Sequence, residues 1–180
     1  MKKIDFEKKL AELNKINLAI IGHMGSGKSI FAKLIAKKLH LEKIDTDREI
    51  CKKENLSINE IFELHGEKYF RKIEENIVCK SLNLENHVIS LGGGSILSPK
   101  VRKKLNNNSY TIFLDTELGE LEKRLSKSIN RPLLQNNNIL NKLKKLDTQR
   151  RKYYLEANIK IQNNDTVNKA YLNFIKAFQN

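Results

Sequence analysis

The sequence predicts one α/β domain, a parallel sheet layered between helices, and three features of the 180-residue chain carry that expectation. The apolar run Leu18-Ala19-Ile20-Ile21 leads into Gly22-His23-Met24-Gly25-Ser26-Gly27-Lys28-Ser29, which opens the amphipathic segment Ile30 to Leu39. Short apolar runs then alternate with helical periodicities, the pattern of strands buried on both faces by helices. The third apolar run closes on Gly92-Gly93-Gly94, at the strand end where open α/β sheets bind ligands. A chain of this length is one domain, long enough to bury a core.

The turn after the first strand fits G-x-x-x-x-G-K-[ST], a phosphate-binding P-loop. Its glycines let backbone N–H groups converge on an anion at a helix N-terminus, where the helix dipole also favours negative charge. Lys28 is placed to reach the β- and γ-phosphates of a nucleotide, and the Ser29 hydroxyl to ligate Mg²⁺. His23, Met24 and Ser26 are expected to contribute backbone only.

A net charge of +13 raises the question of nucleic acid. The excess is mostly lysine spread over helical segments (Lys37, Lys38, Lys52, Lys53, Lys103, Lys104, Lys144, Lys145), without aromatic residues interleaved. It reads as solvated helix faces that help to collect anionic substrates. Arginine is scarce, so the positions of Arg48, Arg71, Arg102, Arg124, Arg131, Arg150 and Arg151 are informative. Cys51 and Cys79 have no CxxC or metal-ligand spacing and read as reduced thiols of a cytosolic protein. No apolar run approaches membrane-spanning length.

Taken in order, Ile4, Phe6, Leu10 and Leu13 fall at roughly helical spacing, predicting an extra helix over residues 1–15 packed on the domain edge. The first strand is Asn17 to Ile21. Lys43 to Asp47 reads as a short second strand whose carboxylates, Asp45 and Asp47, project to one side because they are two apart. The later strands offer no evident apolar run ending in an acid, so one of this pair is assigned to Mg²⁺ through water and the other to an acceptor hydroxyl. Ser57-Ile58-Asn59-Glu60 is a capping box opening a helix to Leu64, and Gly66 begins another that runs to about Leu82. Arg71 and Glu74, three apart, share a face of it beside Phe70.

His87 to Leu91 is the third strand, and Ser98-Pro99 starts a helix to about Asn106. Tyr110 to Leu114 is the fourth strand, followed by a helix from about Glu117 to Leu125. Ser126 to Asn138, polar and aperiodic around Arg131-Pro132-Leu133-Leu134, reads as a lid. A helix over Ile139 to Ala157, a strand at Ile159 to Ile161, a turn at Asn163-Asn164-Asp165 and a helix from Val167 to Phe178 complete the chain.

The P-loop, Asp45-Thr46-Asp47, Gly66-Glu67 with Phe70-Arg71 and Glu74, the triple glycine and Arg131-Pro132-Leu133-Leu134 together resemble the shikimate kinases, from about Asn17 to the C-terminus. The resemblance implies a nucleoside-monophosphate-kinase-like P-loop kinase fold with a five-stranded parallel sheet in order 2-3-1-4-5. It implies transfer of the ATP γ-phosphoryl group to the 3-hydroxyl of shikimate, on the way to chorismate and the aromatic amino acids, with ATP and Mg²⁺ required. By the same resemblance, residues 45–82 form the substrate region. Asp47 binds the ring hydroxyls and is the base, while Asp45 holds Mg²⁺ through water alongside Ser29. Arg71 and Arg150 grip the carboxylate and Glu74 orients the arginine. Phe62 and Phe70 line the pocket, and Gly92, Gly93 and Gly94 face the substrate. The nucleotide is assigned to Gly25, Ser26, Gly27, Lys28, Ser29, Ile30, Asn163, Arg124 at the adenine and Arg131 at the phosphates. Catalysis falls to Asp47, Lys28 and Arg131.

Arg150-Arg151-Lys152-Tyr153-Tyr154 lacks the proline often found there, and spacing from Tyr154 selects Arg150. The helix before Asn17 lies outside the family pattern. The expected protein is a cytoplasmic monomer acting on small molecules, without a nucleic-acid or membrane partner. Two rival readings are another small-molecule kinase, such as a gluconate kinase, and a basic nucleic-acid-binding module with a regulatory nucleotide site. The first leaves the triple glycine and the two arginines unexplained.

Overall fold

A computed structural model describes residues 3–127 and 139–179. In chain order these form α1 (Lys3–Glu12), β1 (Asn17–Ile21), α2 (Lys28–Leu39), β2 (Glu42–Asp45), α3 (Thr46–Glu54), α4 (Ile58–Ser81) and β3 (His87–Ser90). A 3₁₀ turn (Ser95–Leu97), α5 (Pro99–Asn108), β4 (Ser109–Asp115), α6 (Leu118–Ser126), α7 (Ile139–Tyr154), β5 (Ile159–Gln162) and α8 (Val167–Gln179) follow.

The five strands are parallel, in the order β2-β3-β1-β4-β5. Side chains alternate across a strand, so β1 sends Leu18 and Ile20 to one face and Ala19 and Ile21 to the other. On the first face they meet Phe31 and Ile35 of α2 with Phe174 and Phe178 of α8; on the second, Val78 of α4, Val101 and Leu105 of α5 and Tyr154 of α7. Both faces are therefore dry, which explains the unbroken apolar run in β1. The central strand delivers its loop to the middle of the sheet's carboxyl edge, between the ends of its neighbours β3 and β4.

The extra helix does more than cover an edge. Phe6 and Leu10 are fully buried, and the Phe6 ring lies 5.4 Å from that of Phe178 between centroids. Leu13, grouped with them by spacing, falls beyond the helix end and is exposed.

Two expectations about elements need correction, the extent of the second strand and the residue that closes the fourth. The second strand stops at Asp45, because that carboxylate caps α3 by accepting from the Arg48 backbone N–H at 3.4 Å. Asp47 therefore stands on the first turn of a helix and does not share a strand face with Asp45. The break between two helices expected at Gly66 stands: α4 is kinked there, with φ +77° and ψ 171° that a side-chain-bearing residue avoids. The fourth strand ends in Asp115, so a later apolar run does close on an acid. The Ser57–Glu60 capping box and the Ser98 cap with Pro99 stand as the sequence predicts.

Candidate active site

The loop after β1 wraps over the N-terminus of α2. Gly27 occupies the cap position at φ +90°, and a methyl group there would meet Asn163 Nδ2 at 2.9 Å. The Asn163 side chain lies under the loop, donating to the Ser26 carbonyl at 2.7 Å. Lys28 is buried and its Nζ donates to the His23 carbonyl at 2.7 Å. The loop forms one wall of a cavity of about 650 Å³, lined also by Asp45, Asp47, Gly93 and Arg124.

At one end of that cavity Ser29 Oγ donates to Asp45 Oδ2 at 2.5 Å. A hydroxyl and a carboxylate at a phosphate cradle form a hard-oxygen donor pair, and Mg²⁺ takes few protein ligands while keeping several waters. The pair fits that ion. Among the described residues no group of three or more His, Cys, Asp or Glu could hold a metal.

The triple glycine is explained by what lies against it. A methyl group on Gly92 would stand 2.5 Å from Asp47 Oδ1 and 2.8 Å from Glu74 Oε1. One on Gly93 would stand 3.1 Å from the Gly22 carbonyl and 3.6 Å from Arg150 Nη1, and one on Gly94 would overlap the Arg71 guanidinium. The missing side chains make room for two carboxylates and two guanidinium groups. Thr46 Oγ1 accepts from the Gly92 N–H at 3.0 Å and Tyr154 Oη donates to the Gly93 carbonyl at 2.6 Å, fixing the loop from both sides.

Arg71 reaches this point from α4. Its Nη1 donates to Glu74 Oε2 at 2.6 Å, while Nε and Nη2 hold Glu67 Oε1 at 3.2 and 3.0 Å. Glu74 is buried; desolvation pushes its carboxyl up, with Arg71 opposing that shift and Asp47 adding to it. Phe70 packs beneath with Phe62, ring centroids 4.6 Å apart, and the Arg71 guanidinium lies 5.2 Å from the Phe70 ring centre.

Arg150 approaches from α7. It is only 6% exposed, and its Nε is buried without a hydrogen-bond partner among the described residues. Arg151 points elsewhere, to Asp115 and Asp147 at 3.3 Å each. The choice of position 150 thus agrees with burial. Burial also pushes the Tyr154 hydroxyl up to about 12, against the opposing influence of the adjacent Arg150.

Arg124 lines the cavity, paired with Glu120 at 3.0 Å and donating to the Asn163 carbonyl at 2.7 Å. Gly25 and Ile30 line it as well. Arg131 lies outside the described residues, as does most of the 126–138 segment.

Two roles were missed. His23, expected to give only backbone, is buried and its Nε2 lies 2.8 Å from Asp147 Oδ1. Asp115 is buried beside Arg151, Lys160 and Gln162, and its backbone carbonyl accepts from the Asn163 N–H at 2.8 Å. The signal available for Asp115 was its place directly after an apolar run. For His23 it was a titratable residue between two glycines, which means little without the partner.

The shikimate kinase family model matches residues 24–179. A shikimate kinase of Caldicellulosiruptor bescii is 41% identical over 145 residues, 81% of this chain and 84% of its own. One of Bartonella quintana is 36% identical over 172 residues, 95% of this chain and 82% of that protein. The structure of a shikimate kinase from Acinetobacter baumannii in complex with shikimate superposes with a TM-score of 0.85 at 30% identity, covering 95% of this chain and 96% of that one.

Proposed function

The chain belongs to the shikimate kinase family, and from that premise we propose how its residues carry the ATP γ-phosphoryl group to the 3-hydroxyl of shikimate, giving shikimate 3-phosphate and ADP. The observation that carries the reading is the triple glycine, where an added methyl group would meet Asp47 and Glu74 at Gly92, Arg150 at Gly93 and Arg71 at Gly94, next to the phosphate loop whose Gly22 carbonyl also lies against Gly93.

Gly25 to Ile30 cradle the phosphates through backbone N–H groups at the start of α2. Lys28, which the His23 carbonyl keeps in place at 2.7 Å, moves to the β- and γ-phosphates. Arg124 lies against the adenine, Asn163 holds the loop from below, and Arg131 closes on the phosphates. Ser29 and, through water, Asp45 would hold Mg²⁺, which would supply charge neutralisation on the phosphate oxygens. Phosphoryl transfer needs alignment and charge stabilisation more than covalent help.

On the acceptor side, Arg71 and Arg150 grip the carboxylate of shikimate, and Glu74 fixes the plane of the Arg71 fork. Phe62 and Phe70 bound the ring, and Gly92, Gly93 and Gly94 present backbone to it. Asp47 orients the 3-hydroxyl. As its oxygen bonds to γ-phosphorus and the bond to ADP breaks, the hydroxyl proton passes to the Asp47 carboxylate. The exposed lysines draw both anions inward, and the protein works as a monomer in the cytoplasm without nucleic acid. No helix among the described residues is long and apolar enough to cross a membrane.

A coupled ADP-release assay with ATP and Mg²⁺ tests the reading. Turnover is expected with shikimate and not with gluconate; the reverse would overturn it.

A further inference from the structure

We propose that His23 and Asp147 are a positioning pair: their hydrogen bond clamps α7 to the phosphate loop and thereby fixes Arg150, one turn further along α7, in the acceptor site.

The pair lies in the second of two ties on one loop. Asn163 holds the Ser26 carbonyl at 2.7 Å and donates through its backbone N–H to Asp115, whose carboxylate binds Arg151 at 3.3 Å. Arg151 also holds Asp147 Oδ1 at 3.3 Å, and the same oxygen meets His23 Nε2 at 2.8 Å. The loop, the ends of β4 and β5, and α7 are thus closed into a ring of hydrogen bonds. His23 is the only member that reaches from the loop to α7 directly.

The groups facing the imidazole are Asp147 and Arg150 of α7, Lys28 of α2 and the Tyr154 ring, which meets it edge-on at 4.9 Å. Burial pushes the imidazole pKa down, Asp147 opposes that, and Arg150 and Lys28 add to it. A neutral ring donating through Nε2–H to an anionic acceptor satisfies these neighbours. Nδ1 is then the bare nitrogen, and it is buried without a partner among the described residues. Such a part-buried charge-assisted bond is costly to break from the Asp147 side, because the buried imidazole would stay desolvated without its acceptor. Residues 147 and 150 are three apart, so they share a face of α7 and move together.

This inference rests on Arg150 gripping the substrate carboxylate. The test is steady-state kinetics of the full chain carrying His23→Phe, Asp147→Ala, both together, His23→Gln, Asp147→Asn, and Arg150→Lys. His23→Phe keeps a ring against Tyr154 and removes the donor. Each of the first two is expected to raise KM for shikimate about tenfold with KM for ATP within about twofold, and the double variant is expected to be no worse than either single. His23→Gln and Asp147→Asn keep a donor and an acceptor, remain the fallback should the harsher variants not fold, and are expected to hold KM for shikimate within about threefold. Equal rises for both substrates, additive losses in the double variant, or a Gln variant as impaired as Phe would overturn the pair. If Arg150→Lys leaves KM for shikimate unchanged, the reading of Arg150 fails. If Arg150→Lys raises it and the pair variants do not, the positioning pair alone fails.

Discussion

Ser29 Oγ and Asp45 Oδ2 are 2.5 Å apart, so the first turn of α2 and the cap of α3 already touch at the end of the phosphate cradle. Asp45→Asn weakens that oxygen pair as a cation site. The Mg²⁺ concentration for half-maximal turnover is expected to rise about tenfold, read from a metal titration at saturating ATP and shikimate. An unchanged midpoint would remove Asp45 from metal binding.

Asp47→Asn retains shape and loses the proton acceptor. The expected fall in kcat is about 10²- to 10⁴-fold with KM for ATP nearly unchanged. Turnover near the parental rate would place the base elsewhere.

Arg71→Lys replaces a planar fork by a point charge beside Glu74. KM for shikimate is expected to rise about tenfold or more while KM for ATP stays within about twofold. Parallel rises in both would count against a carboxylate clamp.

Gly94→Ala tests the same clamp from the other side, since the added methyl group would occupy the space of the Arg71 guanidinium. A displaced Arg71 is expected to raise KM for shikimate about tenfold, with an intact fold by circular dichroism.

Glu74→Gln separates function from stability. Burial raises the carboxyl pKa in the folded chain above its ordinary value of 4.5, despite Arg71. An ionised Glu74 therefore costs stability at neutral pH, and the cost disappears as pH falls below that ordinary value, where both folded and unfolded chains hold the proton. The variant is expected to melt about 2 °C above the parent at pH 7, with the advantage shrinking toward pH 4. It should also bind shikimate more weakly, because Arg71 loses its charged orienter. A lower Tm at pH 7 would show that the ion pair outweighs the desolvation.

The elements were legible where local chemistry and burial agree. The strand, glycine turn and helix from Asn17 to Leu39, the Ser57 capping box and the Ser98-Pro99 start all announce themselves within a few residues. Asp45 and Asp47 misled because a period of two is read only if the strand continues, and a cap at Asp45 ended it. Gly92 to Gly94 signalled close approach, but not that side chains from α3, α4 and α7 fill the space. The His23–Asp147 bond joins residues 124 apart in the chain, and no spacing rule connects them. Arginine scarcity flagged seven positions and the family resemblance chose 71 and 150 among them, while burial is what distinguishes 150 from 151.

Phe6 of α1 packs tilted against Phe178 of α8, and Tyr110 meets that same ring edge-on at 4.9 Å. During translation Phe6 leaves the ribosome long before Phe178, since domains emerge N-terminal end first. Until then Phe6 lacks its aromatic neighbour. The docking of α1 on α8 is therefore a late event in biogenesis, and a nascent chain stalled before α8 lacks the ring that covers Phe6.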